Sequence, residues 1–219
     1  MYQTMKLDVR SKLLFIGDSI TDCGRAQPVG EGLFNAYGSG YVNVLAGELG
    51  ASHPDRKIRI VNMGTGGNTV RDLEGRWKRD VLEHKPDWLS VMIGINDVWR
   101  QFDSPLQPES HVGLEEYSET LERLVLATKS SLQGLVLMTP FYIEPNRHDP
   151  MRLMMDTYGD AVKELAEKHG ALLVDTQAAF DRVLRHVYPA ALAWDRVHPG
   201  IVGHTIIARA WLESLTGIS

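Results

Sequence analysis

A hydroxyl, a glycine-rich turn, a side-chain amide and an acid–imidazole pair each follow a short apolar run in this chain. Ser19 ends Gly17-Asp18-Ser19, and Gly64, Gly66, Gly67 and Asn68 lie in NMGTGGNT. Asn96 and Asp97 lie in GINDVWR, and Asp195 and His198 in WDRVHPG. Together these residue types suit acyl transfer. A serine hydroxyl becomes nucleophilic only when a base takes its proton. Histidine is the best base near neutral pH, ionising ordinarily around 6.5. A carboxylate then fixes the ring's tautomer and stabilises the imidazolium. Asp195 precedes His198 by three residues, so one loop can supply base and orienter together. The backbone N–H groups of Ser19 and Gly67 and the side-chain amide of Asn96 can supply an oxyanion hole.

Each feature also has a plainer reading. Ser19 can cap a helix, the glycines can permit a tight turn, Asn96-Asp97 can form an Asx turn, and Asp195 can be a cap. What argues for chemistry is that all four features fall at strand ends, where open α/β sheets bind their ligands.

The elements that must carry these residues alternate regularly. Lys12–Gly17, Ile58–Asn62, Trp88–Gly94, Leu135–Pro140 and Ala171–Asp175 read as strands. Between them run helical stripes such as Val70, Leu73, Trp77 and Val81, with Thr69 and Asp72 resembling a capping box. Helices are expected around 41–51, 69–85, 117–128 and 151–169, in AAFDRVLRHV, and at the C-terminus. Continuous apolar strands imply burial on both faces. The predicted architecture is therefore α/β: a flavodoxin-like three-layer α/β/α sandwich with a five-stranded parallel sheet in order 2-1-3-4-5. Ile95–Val112, Phe141–Pro150 and Tyr188–Pro199 read as long loops.

The chain has 219 residues, suited to a single domain spanning 1–219, with 1–11 as an N-terminal extension. The net charge of -5 argues against a nucleic-acid partner. The apolar run before Gly17 is too short for a secretory signal, and no stretch is long enough for a membrane span. Cys23 is the single cysteine, so no intrachain disulfide forms, which fits a cytoplasmic protein. Cys23 and His204 read as packing or structural residues, and His148 as exposed.

The blocks GDS, GGNT, GIND and DRVH, in order across essentially the whole chain, resemble those of the SGNH (GDSL-type) hydrolases. The longer strings GDSITDCGR, GNTVRDL, MIGINDVWRQF, LMTPFYIE and AWDRVHP resemble more narrowly the bacterial acetylxylan esterases of that superfamily. Two departures are GDSI in place of GDSL, and TGGN where a serine often precedes the glycine. The resemblance implies the flavodoxin-like fold, Ser19 as nucleophile, His198 as base and Asp195 as its orienter. It places Ser19 N–H, Gly67 N–H and Asn96 in the oxyanion hole. It also implies a small acetylated saccharide as substrate, no cofactor or metal, and a homo-oligomer. Trp99, Arg100, Phe141, Tyr142 and Trp194 lie on the loops expected to face the sugar.

Three competing readings remain open. One is a broader short-chain carboxylesterase, lipase or thioesterase of the same superfamily. Another is a catalytically inactive carbohydrate-binding protein. The third is a metal-dependent phosphoesterase using Asp18, Asn96, Asp97, Asp195 and His198, although no histidine follows the early strands to complete a two-metal site.

Overall fold

In the computed structural model, residues 7–216 are described, residue 216 by its backbone alone. Residues 1–6 of the expected extension lie outside them. Leu7 is buried in the core, and its carbonyl accepts from Arg56 Nη1.

Five strands form one parallel sheet in the order β2-β1-β3-β4-β5. They are β1 (Lys12–Gly17), β2 (Arg59–Asn62), β3 (Trp88–Met92), β4 (Gly134–Met138) and β5 (Leu172–Val174). Every residue of β3 and all but the first of β1 are buried, as uninterrupted apolar runs require when helices cover both faces. Strand order and direction follow the sequence pattern.

The helices are α1 (Ser19–Asp22), α2 (Tyr41–Ser52), α3 (Val70–Trp77), α4 (Ile95–Asp103), α5 (Leu114–Lys129), α6 (Pro150–His169), α7 (Thr176–Leu184) and α8 (Ile201–Thr216). On one face α8 packs against α2 and α7; on the other α5 packs against α3 and α6. The stripe Val70, Leu73 and Trp77 is buried, and Asp72 caps its helix by accepting from the Thr69 N–H and hydroxyl at 2.8 Å each. Asp149 and Asp175 cap α6 and α7 from the N-cap position, accepting from N–H groups of the first turn, and Gly170 closes α6 in the left-handed region.

One expected loop is largely helical. The stretch 95–112 holds α4 and a short 3-10 turn at Pro108–Ser110. Asn96 and Asp97 do not form a local turn, because their side chains are taken by Asn68 and Val70. Freed of that competition, the backbone continues as helix. Among the described residues no helix is long and apolar enough to cross a membrane.

Candidate active site

The site lies beyond the carboxyl ends of β1, β2 and β3. The chain leaves β1 through Gly17 and Asp18 and turns at once into α1. The Asp18 carboxylate accepts from Ile20 N–H at 2.9 Å and so caps that helix. Burial, with repulsion from Asp97, pushes the Asp18 carboxyl up to about 7. Ser19 is thereby held at the first helical position.

Its hydroxyl lies 2.8 Å from His198 Nε2, and His198 Nδ1 lies 2.6 Å from Asp195 Oδ2. A carboxylate facing Nδ1 requires the proton there, which leaves the Nε2 lone pair for the Ser19 hydroxyl. The second carboxylate oxygen, Oδ1, accepts from the N–H groups of Val197 and His198 at 3.0 and 2.8 Å. This local turn is possible because Arg196 takes φ +61°. Arg196 is held there by its own carbonyl, which accepts from Ile143 N–H, and by an ion pair with Glu144. Partial burial opposes ionisation of Asp195, but the hydrogen bonds from His198 and Val197 outweigh it and keep the carboxyl below its usual range. The histidine and aspartate side chains are 46% and 37% exposed, so the dyad sits at an open rim.

Three further donors lie just beyond the ends of β1, β2 and β3. Ser19 N–H and Gly67 N–H have no protein acceptor among the described residues. Asn96 spends one Nδ2 hydrogen on the Asn68 carbonyl, 3.0 Å away, and has a second to give. Gly67 has φ +78°, a region glycine enters without cost. The loop carrying it is gripped from the nucleophile's own helix, since Asp22 Oδ2 accepts from Gly66 N–H at 3.1 Å. Gly64 lies so close that a Cβ there would meet Asp22 N at 2.2 Å.

Beneath this loop sits Arg76, a buried guanidinium whose role the sequence alone did not reveal. Nη2 donates to the Gly17 carbonyl at 2.9 Å, Nη1 to the Met63 carbonyl at 2.7 Å, and Nε to Asn68 Oδ1 at 2.6 Å. Asp80, one turn further on, neutralises it at 2.8 Å. One side chain therefore ties the ends of β1 and β2 to the glycine-rich loop that carries Gly67 and Asn68. Asp97 makes the matching tie from α4: its Oδ1 accepts from Val70 N–H at 2.9 Å, while Oδ2 has no partner among the described residues. Burial pushes the Asp97 carboxyl up to about 7.

The aromatic residues expected at the site divide. The Trp99 ring meets the His198 ring edge-on at 5.9 Å. Trp194, beside Asp195, is 91% exposed. Tyr142 is half-buried and electrostatically coupled to Arg196. Arg100 turns its guanidinium onto Asn96 Oδ1 and Asp103. Phe141 does not face a ligand: it is fully buried and stacks on Phe180, ring centroids 4.4 Å apart, because it anchors the loop after β4 into the α7 layer.

Cys23 Sγ lies 3.2 Å from His204 Nε2. Burial lifts the thiol to about 11 and lowers the imidazole to about 4, so both are neutral and neither competes with Ser19 or His198.

The model of the GDSL-like lipase/acylhydrolase family matches residues 15–206. The chain belongs to this family. The matched span runs from β1 into α8 and takes in Ser19, Gly67, Asn96, Asp195 and His198. An acetylxylan esterase from Geobacillus stearothermophilus is 61% identical over 211 residues, 96% of each chain. A crystal structure of that esterase superposes with a TM-score of 0.96 at 60% identity, covering 98% of both chains. An α/β hydrolase from the metagenome of Lake Arreo, Spain, superposes with a TM-score of 0.95 at 56% identity, again over 98% of both chains. Solved variants of the Geobacillus enzyme include three described as catalytic mutants, in which a serine, an aspartate and a histidine are replaced by alanine. Those three residues stand at the same intervals along that chain as Ser19, Asp195 and His198 here.

Proposed function

We propose that this family member is a serine esterase that removes acetyl groups from acetylated xylan or xylo-oligosaccharides, with the whole chain acting as one hydrolase domain. The observation that carries the reading is the continuous hydrogen-bond path from the Ser19 hydroxyl through His198 to Asp195. The 61% identity to an acetylxylan esterase supports the substrate class.

The chemistry runs in two steps. Ser19 Oγ attacks the acetyl carbonyl as its proton passes to His198 Nε2. The carbonyl oxygen gathers negative charge and takes hydrogen bonds from Ser19 N–H, Gly67 N–H and Asn96 Nδ2–H. These donors are positioned before the charge appears, which is why they favour the transition state over the ester. His198 then returns the proton to the departing sugar oxygen. Water, deprotonated by the same imidazole, releases acetate and restores Ser19.

The open rim beside His198 and Asp195 suits a bulky saccharide alcohol. Trp99, beside the imidazole, and Trp194 and Tyr142, on the flanking loops, offer aromatic faces for a sugar ring. The deciding experiment compares acetylated xylo-oligosaccharides with aryl esters of increasing acyl length. Release of acetate from the saccharide, with turnover falling steeply from acetyl to butyryl, is expected. Equal turnover of an octanoyl ester would move the assignment to a lipase or thioesterase.

A further inference from the structure

The Asn96 amide is held at both ends. Its Nδ2 donates to the Asn68 carbonyl at 3.0 Å, and its Oδ1 accepts from Arg100 Nη2 at 3.2 Å. A carbonyl only accepts and a guanidinium only donates, so the partners themselves fix which end of the amide is oxygen. Arg100 follows Asn96 by one turn of α4 and shares its face. Its guanidinium is anchored before any ester arrives. It pairs with Asp103 and lies 5.1 Å from the Trp99 ring centroid. The same Trp99 ring meets His198.

We propose that Arg100 is a positioning residue for the oxyanion hole: its guanidinium holds the Asn96 amide in plane and polarises it, strengthening the remaining Nδ2–H as a donor to the oxyanion. The proposal rests on the reading of Asn96 as an oxyanion donor. A cation on an amide oxygen draws electron density from the nitrogen, and hydrogen bonds in series reinforce one another. The gain grows with the charge on the substrate oxygen, so it falls on the transition state and not on ester binding. Asp103 offsets the long-range field of the guanidinium, which leaves the short-range contact with Oδ1 to carry the effect. A guanidinium that gripped the saccharide instead would act on KM.

The test is a double-mutant cycle on an aryl acetate, with kcat, KM and Tm measured for Arg100→Met, Arg100→Lys, Asn96→Ala and the pair Arg100→Met/Asn96→Ala. Arg100→Met is expected to lower kcat about tenfold, the scale of a lost charge-assisted hydrogen bond, with KM and Tm unchanged. Arg100→Lys is expected to recover part of that loss, since it keeps the charge without the planar fork. Added to Asn96→Ala, Arg100→Met is expected to cost nothing more, because the group it acts through is gone. Full additivity with an impaired Asn96→Ala, or a change confined to KM, would overturn the role of Arg100 alone. Wild-type kcat in Asn96→Ala would overturn the oxyanion assignment beneath it.

Discussion

The Ser19 hydroxyl and His198 Nε2 lie 2.8 Å apart across 179 residues of sequence. One comes from the first strand's end and the other from the loop before the last helix. The fold itself makes this contact: nothing local brings these groups together.

Removing any member of the path should be expressed in kcat. Ser19→Ala and His198→Ala are expected to abolish turnover of an aryl acetate, and Ser19→Ala to abolish covalent labelling by an organophosphate. Asp195→Asn presents an amide to Nδ1 and favours the wrong tautomer, with a loss of up to about 10⁴-fold. Asn96→Ala is expected to cost about 2.7–4 kcal/mol of transition-state stabilisation. Steady-state kinetics on the four purified variants check this.

Gly64 and Gly67, on the loop after β2, should fail differently. Gly64→Ala drives a Cβ to 2.2 Å from the Asp22 backbone and 2.6 Å from that of Thr21, where nothing soft can yield. Its expected result is a large fall in Tm or no folded protein. Gly67→Ala meets nothing within 4 Å but holds an L-residue at φ +78°. It should cost only about 1–2 kcal/mol of stability while altering the hole beside the substrate. Thermal unfolding and activity, read together, separate the two.

Arg76→Met is expected to destabilise the protein by about 3–5 kcal/mol, because it strips the Met63 carbonyl and Asn68 Oδ1 of their donor, leaves the Gly17 carbonyl with Thr65 N–H alone, and leaves Asp80 without its buried partner. Arg79 also contacts Asp80, so the value should fall toward the lower end of that range. Urea unfolding measures the loss. A variant as stable as the parent would show that the hub is dispensable.

Stability should carry a signature of Asp97. Burial lifts this carboxyl to about 7; Asp72 adds to the rise, while the Val70 N–H and Arg71 oppose it. Asp18, Tyr117 and Tyr158 face the same group. A carboxyl raised on folding keeps a proton that the unfolded chain gives up near pH ~4, so its contribution to stability falls as pH rises from there to about 7. His204, lowered to about 4, acts in the opposite sense between about 4 and ~6.5. Asp97→Asn removes the first effect, eases the rise at Asp18 by taking away a neighbouring charge, and leaves His204 untouched. Relative to the parent, this variant should gain stability between about pH 4 and about pH 7 in urea titrations. A constant difference across that window would contradict a raised Asp97.

Much of this was readable from residue order. β1 has the bounds its apolar run predicts, the sheet order follows from the β-α alternation, and the Thr69–Asp72 cap forms. The ligand-facing ends of the strands announced themselves through clustered small and polar residues. What the pattern could not convey was where polar side chains spend their hydrogen bonds. Asn96 and Asp97 look like turn formers until their partners, Asn68 and Val70, are known to come from another loop. Phe141 looks like a sugar platform until Phe180 takes it into the core. Arg76 did leave a trace: a cation beside Trp77 on the buried stripe of α3, with Asp80 one turn on. A charge on an apolar face with a partner at that spacing marks a buried tether, a reading periodicity alone does not prompt.

Asp22 and Ser19 share a single turn of helix, and Asp22 grips Gly66 N–H next to Gly67. The Ser19 hydroxyl and the Gly67 amide are thus fastened to a common body. When the strands breathe, both are carried along together, and the interval between them survives thermal distortions that would separate parts mounted on independent loops.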